Sequence, residues 1–289
     1  MKRFVWILGL ALLALLAWAV GSAVVSTSLV PVGKLARAAP RETRLMAQRR
    51  AEASRAGRTY HVDCRWVSYE RISPLLRHAV LVAEDDAFYS HDGLDWNEIR
   101  AAAKKDLAER RVARGGSTVT QQLAKNLWLG SEQTPTRKLK EMLLALRMER
   151  VLTKRRILEL YLNLIEWGDG VYGAEAAAQR YFGVSASQLD ARQSVLLASV
   201  IINPRRYSPL HPTRRIERRA EIIASRMRRH GYLNEDQYAL AIGQEPAHHG
   251  FLDWLFGPPH PEPPPMPDSA ADSTLLEEEE APADTAIVP

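Results

Sequence analysis

Hydrophobic and polar positions divide the chain into stretches of different character. The first is unbroken: from Phe4 to Gly33 there is no charge, and Leu, Ala, Val and Trp dominate. At about 1.5 Å per residue, roughly twenty such residues cross a hydrocarbon core about 30 Å thick. Small residues at Ala17-Trp18-Ala19 and Gly21-Ser22-Ala23 raise the rival reading of a cleaved signal peptide. The apolar run continues past both, which favours a retained anchor over residues 1–33. Residues 34–58 follow as a basic, Ala- and Arg-rich juxtamembrane segment, helical if ordered. It reads either as a solvated spacer or as a strip on anionic headgroups, the latter worth about 1 kcal/mol per basic residue.

From residue 59 to 245 the pattern is that of a folded domain. Alternation over Thr59–Val67 predicts a short strand within 59–70, the only β element expected. The remainder is helical. A helix over 71–84 would end at Glu84 after the apolar run Val80-Leu81-Val82-Ala83. Asp95 and Glu98 make a capping box ahead of Ile99, Ala102, Ala103 and Leu107, and Thr118 with Gln121 makes another. Thr134-Pro135 opens a long helix through Arg137, Glu141, Leu146 and Arg150. Ile157–Leu164 lies on a further helix, which the pattern extends through Tyr161–Trp167 to breaks at Gly168 and Gly170. Gly183 stops a helix over Ala174–Tyr181, Asp190 caps one over Val195–Ile201, and Asn203-Pro204 ends it. An Arg-studded helix over Arg214–Arg229 stops at Gly231, and a short one follows Asn234. Residues 246–289 form a tail, aromatic and then Pro-rich and acidic. Nine of the chain's seventeen prolines lie beyond Gly257, so little apolar area offsets the entropy of ordering, and disorder is expected.

Charge sharpens the picture. Beyond Gly257 there are eight acidic residues and no Lys or Arg, so the preceding chain holds 39 basic side chains against 26 acidic ones. Such a body seeks anionic partners. Nucleic acid is excluded as the expected partner, because the arginines spread over several helices and no reader motif is present. The single cysteine, Cys64, excludes an internal disulfide. Orientation in the membrane stays contested on charge alone: Lys2 and Arg3 favour a cytoplasmic amino terminus, yet eight basic residues lie between Lys34 and Arg58.

Several side chains carry chemistry. Glu84 at a helix carboxyl end, in an apolar wall, would have its pKa raised by burial and by the dipole, as a general base or acid requires. Taken alone, the segment is better explained as a solvated Glu-Asp-Asp helix end. His91 is read as a structural histidine bonding the backbone of the next turn. Gly115-Gly116 before a capped helix would make an anion cradle of free N–H groups, or else a plain flexible loop. Arg137 and Glu141, four apart, are either a surface ion pair or a second carboxylate inside a basic cluster. Gly168-Asp169-Gly170-Val171-Tyr172-Gly173 spells the dinucleotide pattern, but no βαβ context precedes it, so it reads as close packing around small residues.

Together these segments resemble the peptidoglycan glycosyltransferases of family 51, in their monofunctional membrane-anchored branch. The motif E-D-x-x-F-x-x-H-x-G is met by Glu84, Asp85, Phe88, His91 and Gly93. G-G-S-T-x-T-Q-Q-L-x-K-N runs from Gly115 to Asn126, and R-K-x-x-E is Arg137, Lys138 and Glu141. A fourth motif spans Gly168 to Phe182 and a fifth Leu196 to Pro209. Five ordered motifs override the local alternatives.

The resemblance implies a mainly α, lysozyme-like domain with a minor β element, preceded by one transmembrane helix. It implies polymerisation of lipid II into β-1,4 glycan strands with inversion and release of undecaprenyl pyrophosphate. Glu84 would be the base and Glu141 would serve the leaving-group side. Asp85, Ser117, Thr118, Gln121, Gln122, Lys125 and Arg137 would bind substrate. No cofactor is required, with a divalent cation, Mg or Mn, left open. Partners would be lipid II, the growing glycan chain, the membrane, and cell-wall synthesis or division proteins. The catalytic domain would lie on the periplasmic side of the bacterial inner membrane, and a basic stretch over 105–116 would form a mobile flap. With no Ser-x-x-Lys or Lys-Thr-Gly, transpeptidation is not expected. A lysozyme-like glycan hydrolase and an inactive membrane scaffold stand as alternatives.

Overall fold

A computed structural model describes residues 2–109, 116–132 and 134–245. The expected disorder of the tail 246–289, and residues 110–115 of the expected flap, therefore lie outside the described residues. The uncharged amino-terminal run forms one helix, α1 (Lys2–Ser28), long and apolar enough to cross a membrane and exposed along most of its length. Its last turns pack on the domain, with Ala23 and Thr27 buried. After a short 3-10 turn comes α2 (Arg44–Arg55), capped by Thr43. Leu45 and Met46 of α2 are buried against Tyr172, so this basic segment packs on the domain rather than standing off it.

The domain is helical: α3 (Pro74–Glu84), α4 (Trp96–Glu109), α5 (Val119–Ala124), α6 (Pro135–Val151), α7 (Lys154–Leu164), α8 (Ala174–Phe182), α9 (Ala191–Val200), α10 (Arg214–Arg229) and α11 (Glu235–Ala241). Its core is one continuous cluster. Leu76 and Val80 of α3, Leu123 of α5, Leu144 and Met148 of α6, Leu158 and Tyr161 of α7, and Val195 and Leu197 of α9 all belong to it. α9 lies between α3, α10 and α11, which makes its apolar sequence intelligible: from Ser194 onward it has no solvent face. α5 is held between α6 and α7.

The structure corrects the expectation of a single β element. Among the described residues there are three short strands in the order β1-β3-β2: β1 (Asp63–Cys64), β2 (Glu166–Gly168) and β3 (Val171–Tyr172). β1 runs parallel to β3, pairing Asp63 with Val171, and β2 runs antiparallel to β3 with an irregularity between Glu166 and Gly168. The helix through Tyr161–Trp167 is corrected with it: α7 stops at Leu164, and Trp167 lies in β2. A strand buried on every face shows no alternation, so its apolar run resembles the continuation of a helix. The glycine-rich stretch is the connection between these strands. Gly173 has φ +83°, and a Cβ there would stand 2.5 Å from the carbonyl oxygen of Asn163, so only glycine permits the approach.

Candidate active site

α3 delivers Glu84 at its last residue, and three other elements converge on that carboxylate. Gln122 of α5 donates through Nε2 to Oε2 at 2.9 Å, and Arg219 of α10 donates through Nη2 to Oε1 at 2.9 Å. Tyr161 of α7 stands behind Gln122, its hydroxyl donating to the amide oxygen at 3.0 Å. The Glu84 side chain is only 12% exposed. Burial pushes its pKa above the ordinary carboxylate range, opposed by the Gln122 hydrogen bond and by the charges of Arg219 and Lys125. Glu84 lines a cavity of about 260 Å³ together with Asp85, Asp86, Ser117, Thr118 and Arg226. The solvated helix end is thereby set aside.

Asp85 turns inward. Its two oxygens accept from His91 Nε2 and from the backbone N–H of Val119, each at 2.9 Å. This clamps the chain after α3 to the first turn of α5. His91 also accepts from the N–H of Gly93 through Nδ1 at 3.1 Å, as expected of a structural histidine. Thr118 caps α5 by accepting from Gln121 N–H, donates through its hydroxyl to the Gly93 carbonyl, and donates its own N–H to Gln121 Oε1. Gly93 takes φ +90° under the Ala145 carbonyl, where a Cβ would lie 3.1 Å from that oxygen. The expectation of an open anion cradle is corrected here: Val119 N–H is held by Asp85 and Gln121 N–H by Thr118, so these first-turn donors are already engaged. Gly115 and Arg110, Arg111 and Arg114 lie outside the described residues.

α5 passes directly into a single π-helical turn over Lys125–Leu129. Lys125, the first residue of that turn, feels both acids: burial lowers its pKa while Glu141 and Glu84 pull it back up. Glu141 on α6 is buried, with a side chain 3% exposed. Arg137 Nη1 pairs with its Oε2, and Lys138 Nζ donates to its Oε1 at 2.5 Å and to Ser117 Oγ at 2.8 Å. The Arg137–Glu141 pair is thus no surface contact but a buried carboxylate inside a basic cluster. The structure brings Glu84, Gln122, Lys125, Arg137, Glu141 and Ser117 around one region. It sets Asp85, Thr118 and Gln121 behind it as the frame of α5, with Gln121 Nε2 buried and unpartnered. Arg219, Lys138 and Tyr161 were not singled out as site residues from sequence. Arg219 is one arginine among many on α10, and nothing in its spacing marks it. Among the described residues no three His, Cys, Asp or Glu side chains gather as a metal site.

The transglycosylase family model matches residues 52–228, which span both carboxylates and every helix that positions them. The chain belongs to the transglycosylase family. This transglycosylase is 54% identical over 163 residues to a biosynthetic peptidoglycan transglycosylase of Nitrosomonas eutropha, covering 56% of the chain and 67% of the relative. It is 46% identical over 188 residues to one from Laribacter hongkongensis, covering 65% and 82%. Among solved structures, penicillin-binding protein 1A of Haemophilus influenzae matches at 20% identity with a TM-score of 0.37, over 70% of this chain and 23% of that one. The transglycosylase is mainly α with a minor β element, and its amino-terminal helix suits a single-pass anchor.

Proposed function

We propose that the chain polymerises lipid II into β-1,4 glycan strands, acting from a membrane anchor with its catalytic domain on the periplasmic face. The observation that carries the reading is a buried carboxylate of raised proton affinity, Glu84, sharing Lys125 with a second buried carboxylate wrapped in cations. Glu84 takes the proton from the 4-hydroxyl of the incoming lipid II as that oxygen attacks C1 of the donor sugar. The C1–oxygen bond to the diphosphate breaks with inversion, and its electron pair leaves on undecaprenyl pyrophosphate. Such a leaving group departs readily without a strong acid, so cations aimed at its growing charge matter most. Lys125, Arg137 and Lys138 are the groups for that task, and Glu141 holds the last two in position. Ser117 and Gln122 bind sugar or phosphate, and Asp85, Thr118 and Gln121 hold the first turn of α5 that presents them. No cofactor enters the proposal; a divalent cation, Mg or Mn, would arrive bound to the substrate's phosphates.

The test is polymerisation of lipid II by wild type and by Glu84→Gln. We expect the variant to fold and to lose nearly all turnover, because general base catalysis contributes roughly 10²–10⁴-fold. Unchanged turnover overturns the assignment. Incubation with finished glycan distinguishes a hydrolase, which would shorten strands that this enzyme leaves intact.

A further inference from the structure

We propose that Tyr161 is a positioning residue for the reaction, its hydroxyl fixing the Gln122 amide in the orientation that donates to Glu84. The inference rests on the reading of Glu84 as general base. Tyr161 sits in the middle of α7 with no exposed surface, and its ring belongs to the core cluster. Its hydroxyl lies 3.0 Å from Gln122 Oε1, and no other acceptor is in reach among the described contacts. An amide has nearly the same shape either way round, so packing alone does not choose between its two orientations.

Hydrogen bonding does choose. With the amide as found, the phenol hydrogen is satisfied by Oε1, and Nε2 donates to Glu84 Oε2 at 2.9 Å. Turned over, the amide would present its nitrogen to the phenol, leaving that hydrogen buried without a partner, and its oxygen to the carboxylate. Both consequences are unfavourable. A buried tyrosine two contacts from the reacting oxygen thus holds the base's donor in place without touching substrate. The other groups facing Glu84 are Arg219 of α10 and Lys125 of the π turn, with Asp85 beside it. Asp86, Asp95, Glu98 and Arg226 line the same cavity. None of them bonds the Gln122 side-chain amide, so its orientation is fixed by Tyr161 on one side and by Glu84 itself on the other.

The experiment compares lipid II polymerisation across pH for the full-length wild type, Tyr161→Phe, Gln122→Ala and the double variant, with Glu84→Gln alongside. Loss of the phenol should cut kcat at neutral pH about tenfold, a fraction of what the base itself supplies, with KM within about twofold. The acid limb of the profile should move to higher pH, because the donor that stabilises the charged carboxylate is held less firmly. Since Tyr161 acts through Gln122, the double variant should match Gln122→Ala alone. Additive losses, or a Tyr161→Phe limb coincident with wild type, overturn the proposal. Should Phe at this buried site impair folding, 3-fluorotyrosine at 161 keeps the ring and strengthens the donor, and should move the limb to lower pH; an unmoved limb overturns the proposal as well. Wild-type turnover by Glu84→Gln would instead remove the base reading and this inference with it.

Discussion

Replacing Arg219 by methionine keeps most of the side-chain volume and removes the positive charge 2.9 Å from Glu84 Oε1. The guanidinium also donates to the Ala83 carbonyl at 3.2 Å, so it closes the end of α3 as well as facing the acid. A hydrogen bond between charged groups is worth about 1.5–3 kcal/mol. The two side chains are 29% and 12% exposed, which screens the pair only in part and points to the lower half of that range. A loss of about 1.5–2 kcal/mol corresponds to a roughly 10- to 30-fold change in how readily Glu84 gives up its proton. Initial rates of lipid II polymerisation, taken from acid to alkaline pH, should show the acid limb moved to higher pH and most of the rate recovered on the alkaline side. Thermal melts supply the second measurement. Protonated Glu84 needs no countercharge, so the variant should be nearly as stable as wild type in acid and fall behind as pH rises through the folded pKa. A profile of unchanged shape, lowered by one factor at every pH, would refute the reasoning and place Arg219 on the substrate.

Two further outcomes follow from buried groups. His78 stacks on Tyr232 at 3.8 Å with a buried, unpartnered Nδ1, and burial first, then the charges of Arg77 and His230, lower its pKa from 6.5 to about 4. The unfolded chain therefore takes up a proton that the fold refuses, and about 3 kcal/mol of stability should be lost as pH falls from 6.5 to 4; urea unfolding of His78→Phe should show a correspondingly shallower decline. Asp85→Ala strips partners from both His91 and Val119 N–H and should cost about 2–4 kcal/mol by thermal unfolding, with activity lost at every pH. Full stability with only a raised KM would make Asp85 a substrate contact instead.

Local signals and tertiary ones differed in how well the chain displayed them. Thr118 with Gln121, Thr134-Pro135, Asp190 and Asn234 each begin a helix where their side-chain chemistry predicts, since a cap satisfies its own backbone within three residues. Gly183 likewise ends α8 in the left-handed conformation. Glu84 and Glu141 were found through motif resemblance, because either one alone is an ordinary acid on a helix. What stayed hidden was set by partners distant along the chain. Asp85 occupies a donor 34 residues on, which turned an apparent cradle into a clamp. Arg219 meets Glu84 across 135 residues. β3 pairs with β1, about a hundred residues earlier, and no local pattern reports that.

The join between α1 and the domain has a mechanical consequence. Arg147 of α6 grips the carbonyl of Thr27, and that of Val30 at 3.2 Å, while Arg156 of α7 holds the carbonyl of Leu35 at 2.8 Å. α1 is bolted to the catalytic body instead of being tethered by a slack leash. If α1 spans the bilayer, the height and heading of the groove above the lipid surface are inherited from that helix, at about 1.5 Å and 100° per residue. The enzyme would then stay still while the polymer slides past it, and a single residue inserted into α1 would turn the whole workbench.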